Sequence, residues 1–373
     1  MLRVVRHCGL SSLPLMYSDL FEQGSHESIF LSFPWFKNFE ETIVGPQERV
    51  MIYGVEECDD QGRPVAALVL RQGHSHTGGK LFEVREMESL ANYYTSYFGP
   101  ILSKTLTNHD EAIEALTHAL FEDRHQWDIV NLKPLDPQSH FFRSIVKSFQ
   151  SLGLVVQTYF CFGNWYLDVA GRNYCAYFQS LPKVLRKNIP YETRKLQRNY
   201  RLQLDILGNG PELESGLLSY EKIYNNSWRN PEPYPDFIRG WVTSSAGKEW
   251  LRLGLLYLNE EAVAAQLWFV HNGIASIYKI CYDQKFSHLS VGKILTAYLI
   301  QHVIEEDKVV EIDYLSGDDS YKSDWMSHRR ERWGIRVFNT HSVKGTLQAI
   351  KHVGGRGVKR AATKLLSLIK TYD

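Results

Sequence analysis

One order of elements occurs twice in this chain of 373 residues, and it limits the possible folds more than any single motif. In the first half, Val50-Met51-Ile52-Tyr53-Gly54-Val55 alternates as a strand, Asp59-Asp60-Gln61-Gly62 turns, and Pro64 to Leu70 returns. Glu111 to Glu122 then places Ile113, Leu116 and Leu120 on one helical face, and Trp127 to Leu132 reads as a strand. In the second half, Trp250 to Tyr257, the turn Asn259-Glu260-Glu261 and Ala262 to Trp268 form the same hairpin. A helix over 291–305 and a strand over 309–315 complete the match. Val65-Ala66-Ala67-Leu68 has its counterpart in Val263-Ala264-Ala265-Gln266. Two unrelated hairpins are the plainer alternative. The shared order argues instead for a duplicated α/β (α+β) unit, each copy a mixed twisted sheet flanked by helices. The helix Ser144 to Leu152 and the strand Val155 to Phe162 extend the first copy.

The size suits two domains, and 44% hydrophobic with 23% charged residues is the balance of a globular protein. Lysine plus arginine equals aspartate plus glutamate at 42 each, so the chain as a whole has no charge to attract DNA. Cys8, Cys58, Cys161, Cys175 and Cys281 are scattered and odd in number, which favours a reduced, cytoplasmic protein; none has metal-ligand spacing, and no metal is expected. Met1 to Met16 lacks the apolar run of a secretory signal, and no stretch approaches a membrane helix.

The chemistry concentrates between Ala275 and Trp325. Ala275 to Tyr282 is a strand, Asp283 to Leu289 a polar loop, and Ser290 a residue whose hydroxyl can cap a helix. Val291, Ile294, Leu295, Tyr298, Leu299 and Val303 mark that helix's buried face. Val309 to Leu315 is the next strand, broken by Ser316-Gly317-Asp318-Asp319. A helix N-terminus leaves N–H groups free and carries partial positive charge, and Gly292 lets a phosphate come close to the backbone. An ordinary capped helix would use the same residues.

The run Tyr282-Asp283, Leu289-Ser290-Val291-Gly292-Lys293-Ile294-Leu295, Asp313-Tyr314-Leu315-Ser316-Gly317-Asp318 and Tyr321-Lys322-Ser323-Asp324-Trp325 resembles the GNAT-type acyltransferases of the CelD/BcsL branch, over roughly residues 20–340. That branch is similar to the Fem-type transferases in joining two GNAT folds. Val291 stands where the family has proline, Tyr314 where it has phenylalanine and Leu315 where it has the first glycine. The resemblance implies a GNAT-like domain over 1–170, a second over 171–340 carrying the acyl-CoA site, and a basic tail over 341–373. It implies transfer of an acyl group, acetyl first, from a CoA thioester to an amine or hydroxyl by direct attack. The thioester would lie between two parallel strands that splay apart, against Ile280 and Cys281, with Ser290, Val291, Gly292, Lys293 and Lys322 holding the donor phosphates. Asp313 is the first candidate for base, or for fixing an acceptor amine; an aspartate that merely caps the Ser316-Gly317 turn is the plain alternative. Tyr282 or Tyr321 can protonate the leaving thiolate, although a packed tyrosine is the more usual finding. Gln266, Trp268 and Trp228 are candidates for the acceptor side, in the cleft between the halves.

Two basic segments widen the choice of partners. Lys183, Arg186, Lys187, Arg194, Lys195, Arg198 and Arg201 face one acid, Glu192, between Leu181 and Arg201. They read either as a solvated helix face or as a basic lip over a groove. The segment 217–241 is helical and aromatic, interrupted by Pro231, Pro233 and Pro235. From Lys344 to Asp373 a basic amphipathic helix can touch a membrane surface or pack on the domain. A small-molecule, saccharide or amine acceptor from polysaccharide biosynthesis, a Fem-like aminoacyl-tRNA donor and an acidic acyl carrier protein are all compatible with these residues. So is a scaffold of a polysaccharide or lipid pathway that kept the fold and lost the chemistry.

Overall fold

The computed structural model describes residues 2–58, 62–76 and 83–354. The expected turn at Asp59-Asp60-Gln61 and the basic tail from Gly355 onward lie outside the described residues. The chain forms two compact units, Met1–Cys161 with Glu331–Asp373, and Phe162–Arg330. In chain order the first supplies β1 (Leu2–Cys8), α1 (Ser18–Glu27), α2 (Phe33–Thr42), β2 (Arg49–Glu57), β3 (Pro64–His76), β4 (Glu83–Ser89), β5 (Ile101–Leu102), α3 (His109–Glu122), β6 (Ile129–Leu135), α4 (His140–Ser151) and the opening of β7 (Val155–Asp168). The second follows with α5 (Tyr174–Ser180), α6 (Lys183–Asn199), β8 (Leu202–Leu207), α7 (Leu213–Asn225), α8 (Pro235–Gly247), β9 (Leu251–Leu258), β10 (Glu261–His271), β11 (Ile274–Tyr282), α9 (Val291–Glu305) and β12 (Glu311–Ser316). The strand β13 (His328–Phe338) and α10 (Val343–Ala349) close the described chain.

The two units repeat one strand order. In the first it is β1-β2-β3-β4-β6-β13, antiparallel throughout except for the parallel pair β4–β6. In the second it is β8-β9-β10-β11-β12-β7, again antiparallel except for the parallel pair β11–β12. The matched hairpins β2–β3 and β9–β10 hold the same places in their sheets. Both runs of strands are mixed in direction and flanked by helices, as the repeated pattern implies. The boundaries expected at residues 170 and 340 fall instead at Cys161 and Arg330, inside the strands β7 and β13.

In the second unit, α9 covers the sheet with Ile294, Leu295, Leu299, Ile300 and Val303, all buried. Gly254 on β9 lets it come close, because a Cβ there would stand 2.7 Å from Leu299 Cδ1. The basic segment after β7 is the helix α6, held to the same core by Leu185, Ile189 and Leu196. The prolines of 217–241 divide that stretch into α7 and α8, with Pro235 in the first turn of α8, where a missing N–H costs nothing.

The end of β12 is fixed by a buried cluster of charge. Arg330 donates to Asp313 Oδ2 at 2.6 Å, to Glu311 Oε1 at 2.7 Å and to Asn164 Oδ1 at 2.6 Å. Asn164, fully buried on β7, donates in turn to Asp313 Oδ1 and to the Leu315 carbonyl. Leu315 N donates to Asp313 Oδ1 at 2.7 Å. Burial by itself would lower the Arg330 pKa, but the charges and hydrogen bonds of Asp313 and Glu311 outweigh it and hold the guanidinium protonated. Removing one member of such a pair strands the other. Arg330→Met is therefore expected to destabilise the second unit by about 3 kcal/mol, read as a lowered midpoint of thermal unfolding, and Arg330→Lys to recover only part of it. An unchanged midpoint in Arg330→Met would contradict this role.

Candidate active site

β11 and β12 run parallel but pair over only Ile274–Ser276 and Glu311–Asp313. Beyond that point they part. β11 carries a bulge at Tyr278, where its register against β10 slips between Lys279 and Ile277, and bulges bend a strand. β12 carries an irregularity of its own against β7, between Asp313 and Ser316. Leu315, inside it, adopts a left-handed φ of 56°. A leucine in that conformation costs about 1 kcal/mol, offset by the bonds that Asp313 and Asn164 make to its N–H and carbonyl. Leu315 thus holds a glycine-like backbone conformation.

The parting leaves a cavity of about 440 Å³, the size of a small-molecule site. Ile280, Cys281 and Tyr282 of β11 form one wall, and Tyr314 with Tyr321, Asp324 and Trp325 form another. Gly292, Lys293 and Thr296 of α9 reach it from one end, Gln266 lines it from β10, and Leu185 of α6 and the pair Trp228–Arg229 complete it. Trp228 lies against Tyr282 with ring centroids 4.5 Å apart, and Tyr321 meets Tyr314 edge-on at 5.8 Å.

The first turn of α9 faces this cavity with open donors. Among the described residues no acceptor bonds the N–H of Val291, Gly292 or Lys293, and the first backbone bond is Ile294 N to Ser290 O at 3.2 Å. Ser290 corrects the sequence expectation. It holds the N-cap position, but a short 3₁₀ turn over Gln284–Leu289 delivers it at φ 55°, and its hydroxyl makes no capping bond. Val291 keeps an N–H that the family's proline would lack. Its side chain is buried in the core, as the helical pattern requires. A Cβ on Gly292 would lie 3.1 Å from Tyr282 Cδ1, so any side chain there would press on the ring that lines the cavity.

Of the residues singled out in the sequence, the structure brings Trp228, Gln266, Ile280, Cys281, Tyr282, Gly292, Lys293 and Tyr321 to one cavity. Five others do not line it: Ser290 and Val291, described above, and Asp313, Lys322 and Trp268. Asp313 does not line the cavity, and both its oxygens are taken by Arg330, Asn164 and Leu315 N. These bonds hold the end of β12 at Leu315; the Gly317 N–H goes instead to the Gly163 carbonyl. Lys322 is buried, with its ammonium on the carbonyls of Tyr314, Ser316 and Gly317 and 3.7 Å from Asp319. Burial lowers its pKa, and Asp319 and Asp313 only partly restore it. It closes the loop after β12 and leaves no donor pointed at a phosphate. Trp268 is fully buried and donates Nε1 to Gln266 Oε1 at 2.8 Å. Gln266 spends its amide on Thr296 Oγ1 at 2.8 Å and Gly292 O at 3.1 Å, so its polar atoms brace the first turn of α9.

Sequence reasoning did not select Arg229, Asp319 or Asp324. Arg229 donates Nε to the Ile280 carbonyl at 2.8 Å and lies over the Trp228 ring at 5.3 Å. Among the described residues no carboxylate lies within ion-pair distance of its guanidinium, so it brings net positive charge to the cavity. Asp324 ends the short turn Ser320–Asp324, and its carboxylate has no hydrogen-bond or ion-pair partner among the described residues. Its only sequence signal was its place in the Tyr-Lys-Ser-Asp-Trp motif. Tyr321 holds its proton up to about 12, through burial and then through Asp319. It can donate a hydrogen bond to a leaving thiolate, but full proton transfer to a thiolate of pKa about 8.5 is uphill.

Residues 183–323, all in the second unit, match the family model of the acetyltransferase (GNAT) domain. By structure the chain is similar to FemX, with a TM-score of 0.57 at 9% identity, covering 85% of this chain and 95% of that one. It is similar to a conserved protein of unknown function from Bacteroides thetaiotaomicron VPI-5482, with a TM-score of 0.53 at 9% identity over 88% of this chain and 98% of that one. A tandem GNAT protein from the clavulanic acid biosynthesis pathway aligns with a TM-score of 0.49 at 11% identity, over 90% of this chain and 98% of that one. The first two likenesses show the fold alone. No curated protein sequence matches the chain. Residues 183–323 of the second unit are thus similar to a GNAT acetyltransferase domain, and the two units of the chain share one strand order. No helix among the described residues is long and apolar enough to cross a membrane. Among the same residues no group of three or more His, Cys, Asp or Glu is placed to hold a metal ion.

The free donors and Gly292 make one direct test. Gly292→Glu would set a carboxylate beside the open N–H groups, where it satisfies them itself, and would crowd Tyr282. The variant is expected to keep its far-ultraviolet circular dichroism and to lose the thermal shift that CoA produces in wild type. A folded Gly292→Glu chain with wild-type CoA affinity would rule out this end of the cavity as the phosphate site.

Proposed function

We propose that this chain is an acyltransferase that moves an acyl group, acetyl first, from a CoA thioester to an amine or hydroxyl acceptor by direct attack in the second unit. One observation carries the reading: the uncapped N-terminus of α9, with Gly292 and Lys293, opens on the cavity where β11 and β12 part. The corresponding helix of the first unit makes the contrast. α3 precedes β6 as α9 precedes β12, but Asn108 caps it by accepting from Glu111 N at 3.3 Å, and Asp110 and Glu111 occupy its first turn. Such an end repels phosphate. On this reading the donor phosphates go to the second unit.

The residues present fit a CoA thioester. The N–H groups of Val291, Gly292 and Lys293 would hold its pyrophosphate, aided by the Lys293 ammonium, and the edge of β11 from Ile280 to Tyr282, which pairs with no strand on that side, would receive its arm beside Arg229. The donor supplies an activated acyl carbonyl; the rest falls to the chain. Arg229 places positive charge beside the Ile280 carbonyl and can attract the donor. Asp324, a carboxylate without a partner on the cavity rim, orients the acceptor and takes its proton. Tyr321 offers a phenolic hydrogen to the departing sulfur. Asp313 acts at one remove, by holding the end of β12 in place. Assignment to the CelD/BcsL branch, with a saccharide or amine acceptor of polysaccharide biosynthesis in the cytoplasm, rests on the motif run from Tyr282 to Trp325 and belongs to the same proposal.

Two substitutions separate these roles. Asp324→Asn should leave acetyl-CoA binding intact and slow acyl transfer about 10²-fold, the usual cost of losing a general base. Asp313→Asn should lose stability first, because its new amide N–H₂ meets the donors of Arg330 and Asn164. Comparing single-turnover rates with unfolding midpoints for the two variants checks the assignment. An Asp324→Asn enzyme at full rate, beside a stable and inactive Asp313→Asn enzyme, would return the base to Asp313.

A further inference from the structure

The helix α6 has two faces with different contents. Leu185, Ile189 and Leu196 turn into the core, and Leu185 is also part of the cavity wall. The opposite face exposes Lys183, Lys187, Tyr191, Arg194, Lys195 and Arg198. Their spacing follows one side of the helix, and at 1.5 Å per residue the row is about 20 Å long. Lys195 lies 3.7 Å from Glu192. Among the described residues Lys183, Lys187, Arg194 and Arg198 have no acidic partner. Tyr191 stands in the middle of the row, 59% exposed, and Val184 near its start is 66% exposed. Tyr191, Arg194, Lys195, Arg198 and Asn199 together line a shallow groove of about 350 Å³.

A row of cations with apolar groups set into it, four of the cations without an acidic partner among the described residues, is a poor solvent face and a good docking ridge. We propose that this face of α6 docks an acidic carrier protein whose pantetheine-linked acyl group enters the cavity beside Leu185. This deepens the proposed acyl transfer and rests on it for the fate of the acyl group. Two features favour an acidic protein over a nucleic acid or an anionic membrane. The whole chain is charge-balanced at 42 against 42, so it lacks the general positive field by which polyanions are held. The cations form a single narrow ridge one helix wide, with Val184 and Tyr191 available to an apolar strip, which matches an acidic amphipathic helix laid alongside. The near end of the ridge, Lys183 and Lys187, lies within a turn of Leu185, so a carrier seated there can pass its arm to the cavity. A pantetheine thioester is common to CoA and to a carrier, and the same β11 edge would receive either.

The test uses the full chain, a fluorescently labelled acetyl-loaded acyl carrier protein, and acetyl-CoA as the small donor. Carrier affinity is measured by anisotropy and acetyl-CoA binding by thermal shift. The triple variant Lys187→Glu, Arg194→Glu, Arg198→Glu should weaken the carrier complex at least about tenfold, with wild-type binding falling as salt rises. Its acetyl-CoA shift should match wild type, because none of the three residues lines the cavity. The charge-keeping variant Lys187→Arg, Arg194→Lys, Arg198→Lys should retain the carrier, which separates charge from misfolding. Wild-type chain that does not bind the carrier, or a charge-reversed chain that binds it equally well, overturns the docking proposal. So does a wild-type chain that ignores the carrier but binds RNA or anionic vesicles through the same three residues. If acetyl-CoA itself gives no shift in wild type, the acyl-transfer reading fails independently of the docking result.

Discussion

The site depends on two parallel strands that hold together briefly and then separate. β11 and β12 share pairs only from Ile274 to Ser276 and from Glu311 to Asp313. A sheet left to itself would continue the ladder, since unpaired backbone groups are costly when buried. Here the continuation is prevented from both sides. The bulge at Tyr278 bends β11, and the cluster of Arg330, Asp313, Glu311 and Asn164 commits the end of β12 to β7. The cavity, the exposed edge of β11 and the direction in which α9 points all follow from that separation.

Two departures from the family pattern become understandable at this level. Leu315 keeps a left-handed backbone without glycine because Asp313 and Asn164 fix both its peptide groups. Val291, where the resembled pattern has proline, leaves the first turn of α9 with a further N–H donor. The positions therefore keep their backbone roles while their side chains change. The same reasoning explains why Asp313 was an attractive base on paper. A carboxylate at the end of a strand beside a glycine turn has the right address, but here its charge is used by Arg330 and its lone pairs by two N–H donors.

Local periodicity made much of the fold legible. The helix expected over 291–305 is Val291–Glu305, and both hairpins fall where alternation placed them. β13 was missed because His328-Arg329-Arg330-Glu331-Arg332 reads as a charged surface run. Its charges are used by residues distant in sequence, with Arg329 donating to Asp318 and Arg330 to Asp313. The α9 end of the site was legible for the same local reason, since Tyr282, Gly292 and Lys293 are close in sequence. Arg229 was not, because it sits in a proline-rich connection between α7 and α8 and reaches β11 only in three dimensions. Lys322 was misassigned because a lysine beside a motif gives no sign that three carbonyls enclose it.

The central claim is that the open first turn of α9 is where the donor phosphates bind. A crystal structure of the full chain with CoA locates them directly. The account predicts pyrophosphate oxygens within hydrogen-bond distance, about 2.7–3.2 Å, of the N–H groups of Val291, Gly292 and Lys293, with the pantetheine arm along Ile280 to Tyr282. A pyrophosphate bound at the N-terminus of α3, or against Arg194 and Arg198, would contradict it.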